Sequence, residues 1–170
     1  MSGDLGYTCR CCGKYHGELP MSYGAEAPAY WRGEFAADAS SLLESDVCII
    51  NGEHYFVRGT LEIPVIGADE AFSWGAWVSL SEANFKKTLD PMSAEGRESE
   101  APYFGWLSTE LPVYGASTLN LKTHVHTRPV GLRPTIELEP TDHLLALEQH
   151  KGITRERVRG IAEQLLHPGA

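Results

Sequence analysis

The chain has 170 residues, a formal net charge of −9, a pI of 5.2 and 42% hydrophobic residues. That length and apolar content suit one globular domain with a sizeable core, while the negative surface repels phosphate backbones and anionic lipid, so neither nucleic acid nor a membrane surface is an expected partner. No run reaches the roughly 18 apolar residues of a membrane helix and no secretory signal is evident, so the expected compartment is the cytoplasm, where cysteines stay reduced.

Residues 1–170 read as a single domain. Positions 1–33, rich in Gly, Pro, Tyr and Ser, form an irregular cysteine-containing segment; 34–170 form an α+β core. Residues 34–45 read as a short helix with Phe35, Ala39, Leu42 and Leu43 on one side. Val47 to Ile50 is a β-branched apolar run, and Asn51-Gly52 is the favoured pair for a tight hairpin turn, because both positions want positive φ. Glu53 to Ile66 continues as a long strand with a bulge expected at Gly59.

Phe72 to Leu80 is a further strand, with Trp74 and Trp77 facing opposite sides. Ser79 and Glu82 fit a capping box for a helix through Leu89, and the polar stretch 90–102 reads as a mobile loop. Tyr103 to Ser108, Thr118 to Thr127 and Leu132 to Glu139 are strands. In the second, Leu119, Leu121, Thr123 and Val125 alternate with Asn120, Lys122, His124 and His126. Thr141 or Asp142 caps a short helix. Thr154 caps the last, whose apolar stripe is Val158, Ile161, Ala162, Leu165 and Leu166. Strands in the middle with short connections predict a mainly antiparallel sheet, with helices on one face and an N-terminal zinc-knuckle-like loop.

The sharpest motif is Cys9-Arg10-Cys11-Cys12-Gly13-Lys14-Tyr15-His16. Two thiolates three residues apart can reach one tetrahedral zinc ion, and glycine after the second permits the tight turn between them. A closed structural site needs two more donors: His16 and Cys48 are the preferred pair, with His54 the next candidate. Against this stands a plainer reading, since one C-x-x-C is half a zinc site and Cys48 in an apolar strand is also an ordinary buried thiol. Redox chemistry would want the motif at a helix start, which nothing here predicts.

Arg128-Pro129 and Arg133-Pro134 pair each guanidinium with a stiffened backbone, suited to gripping a carboxylate or phosphate. The competing reading is internal pairing with Glu62, Glu137, Glu139 or Asp142. His124 and His126 share a strand face and, with His143 and a carboxylate, offer a catalytic metal or acid/base set at no diagnostic spacing. No Walker loop, dinucleotide-binding glycine fingerprint or G-x-S-x-G elbow occurs.

Cys9 to His16, Ser22-Tyr23-Gly24, Arg58-Gly59 through Val65, Trp74-Gly75 through Ser81, Gly105 to Ser108 and Leu121 through His143 together resemble a bacterial family, domain of unknown function 2199. The resemblance covers most of the chain and implies that the cysteine motif and the His126-to-His143 segment belong to a shared pattern. It implies no activity. Where Leu144 stands, the resemblance leads one to expect proline. Two readings follow. One is a small binding protein stapled by zinc, with Trp77, His126, Arg128, Arg133 and His143 around a small anionic ligand or the acidic end of a protein partner. The other is an enzyme using the His124–His143 segment.

Overall fold

The computed structural model describes residues 6–9, 13–17, 19–89, 101–129 and 131–166. Its elements are β1 (Tyr7–Thr8), β2 (Tyr15–His16), β3 (Ser22–Gly24), β4 (Leu42–Leu43), β5 (Val47–Ile50), β6 (His54–Ile63), β7 (Phe72–Leu80), α1 (Glu82–Leu89), β8 (Tyr103–Leu107), β9 (Lys122–His126), β10 (Thr135–Leu138), α2 (Leu144–Lys151) and α3 (Arg155–Leu166). The fold is α+β. β1 and β2 form a small hairpin, and the remaining strands run in the order β3-β7-β8-β9-β10-β6-β5-β4.

β6 also pairs with β7, so β6 to β10 close into a five-strand barrel. The expected mainly antiparallel pairing is present, and its closure into a barrel is what the sequence reading did not include. The helices lie towards opposite ends of β6. Phe85 of α1 meets Tyr55 at 5.1 Å between ring centroids, whereas Gln149 of α2 bonds the backbone of Ile136 and Leu138 and reaches the Glu62 carbonyl.

The length of β6 makes closure possible. Its first half pairs antiparallel with β5, from Ile50↔His54 to Val47↔Val57. Its second half meets β10 in a parallel rung at Thr135↔Thr60. Gly59 is at the handover, but it pairs in register with Ala76 and forms no bulge. Its role is clearance: a Cβ there would sit 2.9 Å from both Ile136 Cγ1 and the Pro134 carbonyl. Glycine lets β10 approach and close the barrel.

Strand alternation gives the barrel two apolar sides. Val57, Leu61, Ile63, Trp74, Val78, Val125 and Ile136 belong to the main core with Phe85, Leu145, Val158 and Ile161 from the helices. On the outside, Cys48, Ile50, Phe56 and Trp77 are covered by Ala25, Trp31, Phe35 and Leu43. The two tryptophans therefore face opposite sides, as their spacing requires. Each satisfies its indole N–H: Trp74 donates to Tyr114 Oη at 3.0 Å, Trp77 to the Ala25 carbonyl at 2.9 Å.

Local signals held at the hairpin, where Asn51 and Gly52 have φ of 55° and 66°. They failed at 34–45, which is a 3-10 turn (Gly33–Ala37) followed by β4. Asp38 accepts hydrogen bonds from the Ser40 amide and from the Ser40 and Ser41 hydroxyls, which hold its carboxyl below the usual range and divert the backbone from a helix. The cap of α1 is Ser81, whose hydroxyl accepts from the Asn84 amide, rather than Ser79. Thr154 caps α3 as expected, accepting from the Arg157 amide. The stretch 90–100 lies outside the described residues.

Candidate functional site

The cleft with the clearest recognition chemistry lies where β6 changes partner. β5 begins beside Val57 and β10 beside Thr60, so the residues just ahead of each strand converge there. Asp46 precedes β5 and its carbonyl accepts from the Arg58 amide; Pro134 precedes β10 and its carbonyl accepts from the Thr60 amide. Arg133, next to Pro134, thereby meets Asp46, 87 residues away in sequence, with Nε donating to Oδ1 at 2.6 Å. The cleft encloses about 250 Å³, with Val47, Val57, Leu89, Leu132 and Pro134 as apolar wall and Arg128, Arg133 and Asp46 among its polar lining. That volume is just below the roughly 300–1,000 Å³ of ordinary small-molecule pockets, so it suits a small ligand or the end of a longer one.

The expectation that Arg133 pairs internally is met, but by Asp46 rather than by any of the four carboxylates named from sequence. Both partners are about half exposed, so the pair adds only about 0–1 kcal/mol to stability. Arg58 also borders the cleft, but its guanidinium lies over the outer sheet. A Cβ placed on Gly24 would fall 2.5 Å from its Nη2, and one on Gly75 3.5 Å away. Trp77, opposite Arg58 on β7, is fully buried and does not reach the cleft.

The histidines are differently placed. His143 is the N-cap of α2, in place of Thr141 or Asp142. Its Nδ1 accepts the Leu145 amide at 3.1 Å, which leaves Nε2 to donate to the Ser117 carbonyl at 3.1 Å. Both ring nitrogens are engaged, so neither is available to a metal or substrate. His124 Nε2 contacts Glu139 Oε1 at 3.1 Å on a diagonal from its rung partner Glu137, and His126 Nε2 lies 3.8 Å from Glu137 Oε1. His126 lines a second cavity of about 420 Å³ with Glu62, Asp69, Glu70, Glu137 and His150. The structure thus brings Arg128 and Arg133 together and leaves His126 and His143 outside their cleft.

At the N-terminus, the Gly13 amide donates to the Cys9 carbonyl at 2.8 Å, the Cys9 amide donates to the Lys14 carbonyl at 2.9 Å, and Gly13 has φ of 72°. Arg10, Cys11 and Cys12, which lie between these residues, are outside the described residues. Cys9 is buried against Tyr7 and Ala162, and His16 stacks on Tyr7 at 5.1 Å. Cys48 is not brought to them. It sits in the outer apolar cluster with Phe56 and Trp77, where burial pushes its thiol up to about 11. Among the described residues, no group of three or more His, Cys, Asp or Glu side chains is arranged to hold a metal ion.

Sequence reasoning missed Asp46 and the walls from Val57 and Leu89. No local signal marks them, because the cleft exists only once β5 and β10 share one edge of β6. No helix among the described residues is long and apolar enough to cross a membrane. No curated protein and no solved structure matches the chain. A family model does match, over residues 8–153, a span that includes both the cysteine turn and the arginine cleft. The chain belongs to DUF2199, a family of uncharacterised proteins conserved in bacteria.

Proposed function

We propose that this is a small cytoplasmic binding protein that holds an anionic group, on a small ligand or at the acidic end of a partner protein, in the cleft bordered by Arg128 and Arg133. One observation carries the reading: two guanidiniums, each followed by proline, border an apolar cleft walled by strand starts and a helix end. Arg133 meets Asp46 through Nε alone, and its Nη atoms have no hydrogen-bond partner among the described residues. A fork in that state suits a carboxylate or phosphate. The apolar wall supplies contact for the rest of the ligand.

A structural zinc ion at the N-terminal turn is part of the same proposal. The burial of Cys9 and the left-handed Gly13 support it, with Cys9, Cys12 and His16 as donors; Cys48 is better explained as core. Such an ion would link the binding energy of the metal to folding of the leading segment. Metal analysis of protein purified without added metal should find about one zinc per chain, lost in Cys12→Ser. Protein free of metal at full stability would remove this part. For the cleft, Arg133→Ala should weaken benzoate binding without unfolding the domain, and unchanged binding would reject the site.

A further inference from the structure

We infer that the barrel opens along its β6–β10 seam, that Gln149 of α2 is the catch holding the seam shut, and that this catch sets the geometry of the arginine cleft. Its consequence for binding rests on reading that cleft as an anion seat, and adds a control from outside the lining. Among the described residues, β6 and β10 share a single parallel rung, Thr135↔Thr60, where the Thr60 amide donates to the Pro134 carbonyl at 2.9 Å. Beyond that rung, side chains of α2 take over. Gln149 Oε1 accepts from the Leu138 amide at 2.7 Å, while its Nε2 donates to the Ile136 carbonyl at 2.8 Å and reaches the Glu62 carbonyl of β6 at 3.4 Å. His150 Nε2 donates to the Leu138 carbonyl at 2.7 Å. One side-chain amide thus stands in for a missing rung and bonds both strands.

The residues explain the gap. In the same register, the next outward rung would set Glu137 against Glu62, and like charges directly opposite destabilise a strand pair. α2 is pinned on either side of the catch. His143 caps its start, and just past its end the Ile153 amide donates to the Pro64 carbonyl while its own carbonyl accepts from the Ile66 amide. Glu148 adds an ion pair with Arg157 of α3 at 2.8 Å. With the helix fixed, closure beyond the single rung depends on Gln149. The cleft depends on the seam in turn. Asp46 is placed by the bond its carbonyl makes to Arg58, and Arg133 by the neighbouring bond from Thr60 to Pro134, so a shift of β10 along the seam changes how the two side chains meet.

Amide hydrogen exchange, read by NMR on the full chain, tests the seam. In Gln149→Ala, exchange at Leu138 and at Thr60 should rise at least about tenfold while the β6–β7 ladder keeps its wild-type rates. Benzoate affinity should fall about threefold or more, although Gln149 does not line the cleft. His150→Ala should move the same amides less. Glu137→Gln removes the like-charge contact and should slow exchange at Thr60, so the seam is tested even if Gln149→Ala does not fold. Faster exchange at Leu138 with Thr60 unchanged, or an equal rise throughout the β6–β7 ladder, would overturn the seam as the opening line. An opened seam with benzoate affinity unchanged would overturn its control of the cleft. No saturable benzoate binding to wild type would remove the anion seat, and exchange at Thr60 would still decide the seam.

Discussion

The residues singled out in the sequence divide into two groups. Arg128 and Arg133 stand at the turn between β9 and β10 and border a cleft; Trp77 and His143 are committed to the fold. The difference follows from position. A side chain within a paired strand or at a helix start finds neighbours fixed by regular structure: the Ala25 carbonyl for Trp77, the orphan Leu145 amide for His143. A side chain just ahead of a strand is placed by where that strand docks. Residues 128 and 133 are gathered with Asp46 because β10 and β5 dock on the same edge of β6. Residue type alone therefore marks both groups equally; topology separates them.

The largest expected effect tests the committed group. Trp77→Ala, at a fully buried position, should lower unfolding free energy by about 3–5 kcal/mol in denaturant titration, and a loss under about 1 kcal/mol would return Trp77 to the candidate ligand-contacting residues. Next comes Arg128→Ala combined with Arg133→Ala. It should weaken benzoate binding at least tenfold, about 1.4 kcal/mol, while stability changes by no more than about 1 kcal/mol. A large loss of stability with intact binding would move the arginines into the structural group.

His143→Ala should cost about 1 kcal/mol of stability, because α2 loses its cap, with His143→Asn recovering part of it since asparagine also caps. Ligand binding should be unchanged in both variants. His124→Ala removes a partly exposed pair with Glu139 and should cost less than about 1 kcal/mol.

Alkaline pH offers a finer test of Cys48. Its thiol is raised from 9.0 to about 11 by burial, so the folded chain holds that proton more tightly than the unfolded one. The associated stability is fully present below pH 9 and is lost as pH rises through 11. Thermal melts of wild type and Cys48→Ala should show a shallower decline for the variant across that window. Parallel declines would mean that the thiol is not buried.

Much of the fold was legible because local chemistry decided it. Asn51-Gly52 forced the hairpin, Thr154 set the start of α3, and alternation placed Trp74 and Trp77 on opposite sides. What was not legible depends on contacts distant in sequence. Barrel closure turns on one glycine, Gly59, accepting β10 from 75 or more residues downstream, and nothing near Gly59 distinguishes clearance from a bulge. The site was half legible for the same reason: Arg128 and Arg133 are announced by their prolines, whereas Asp46 is one carboxylate among many until the strands dock.

The most direct measurement is an NMR titration of benzoate into wild type and into the Arg128→Ala/Arg133→Ala variant. Saturable shifts at Val47, Leu132 and their neighbours that vanish in the variant are the predicted result. Shifts that survive in the variant, or that centre on His126 and His150, would contradict the assignment of the cleft.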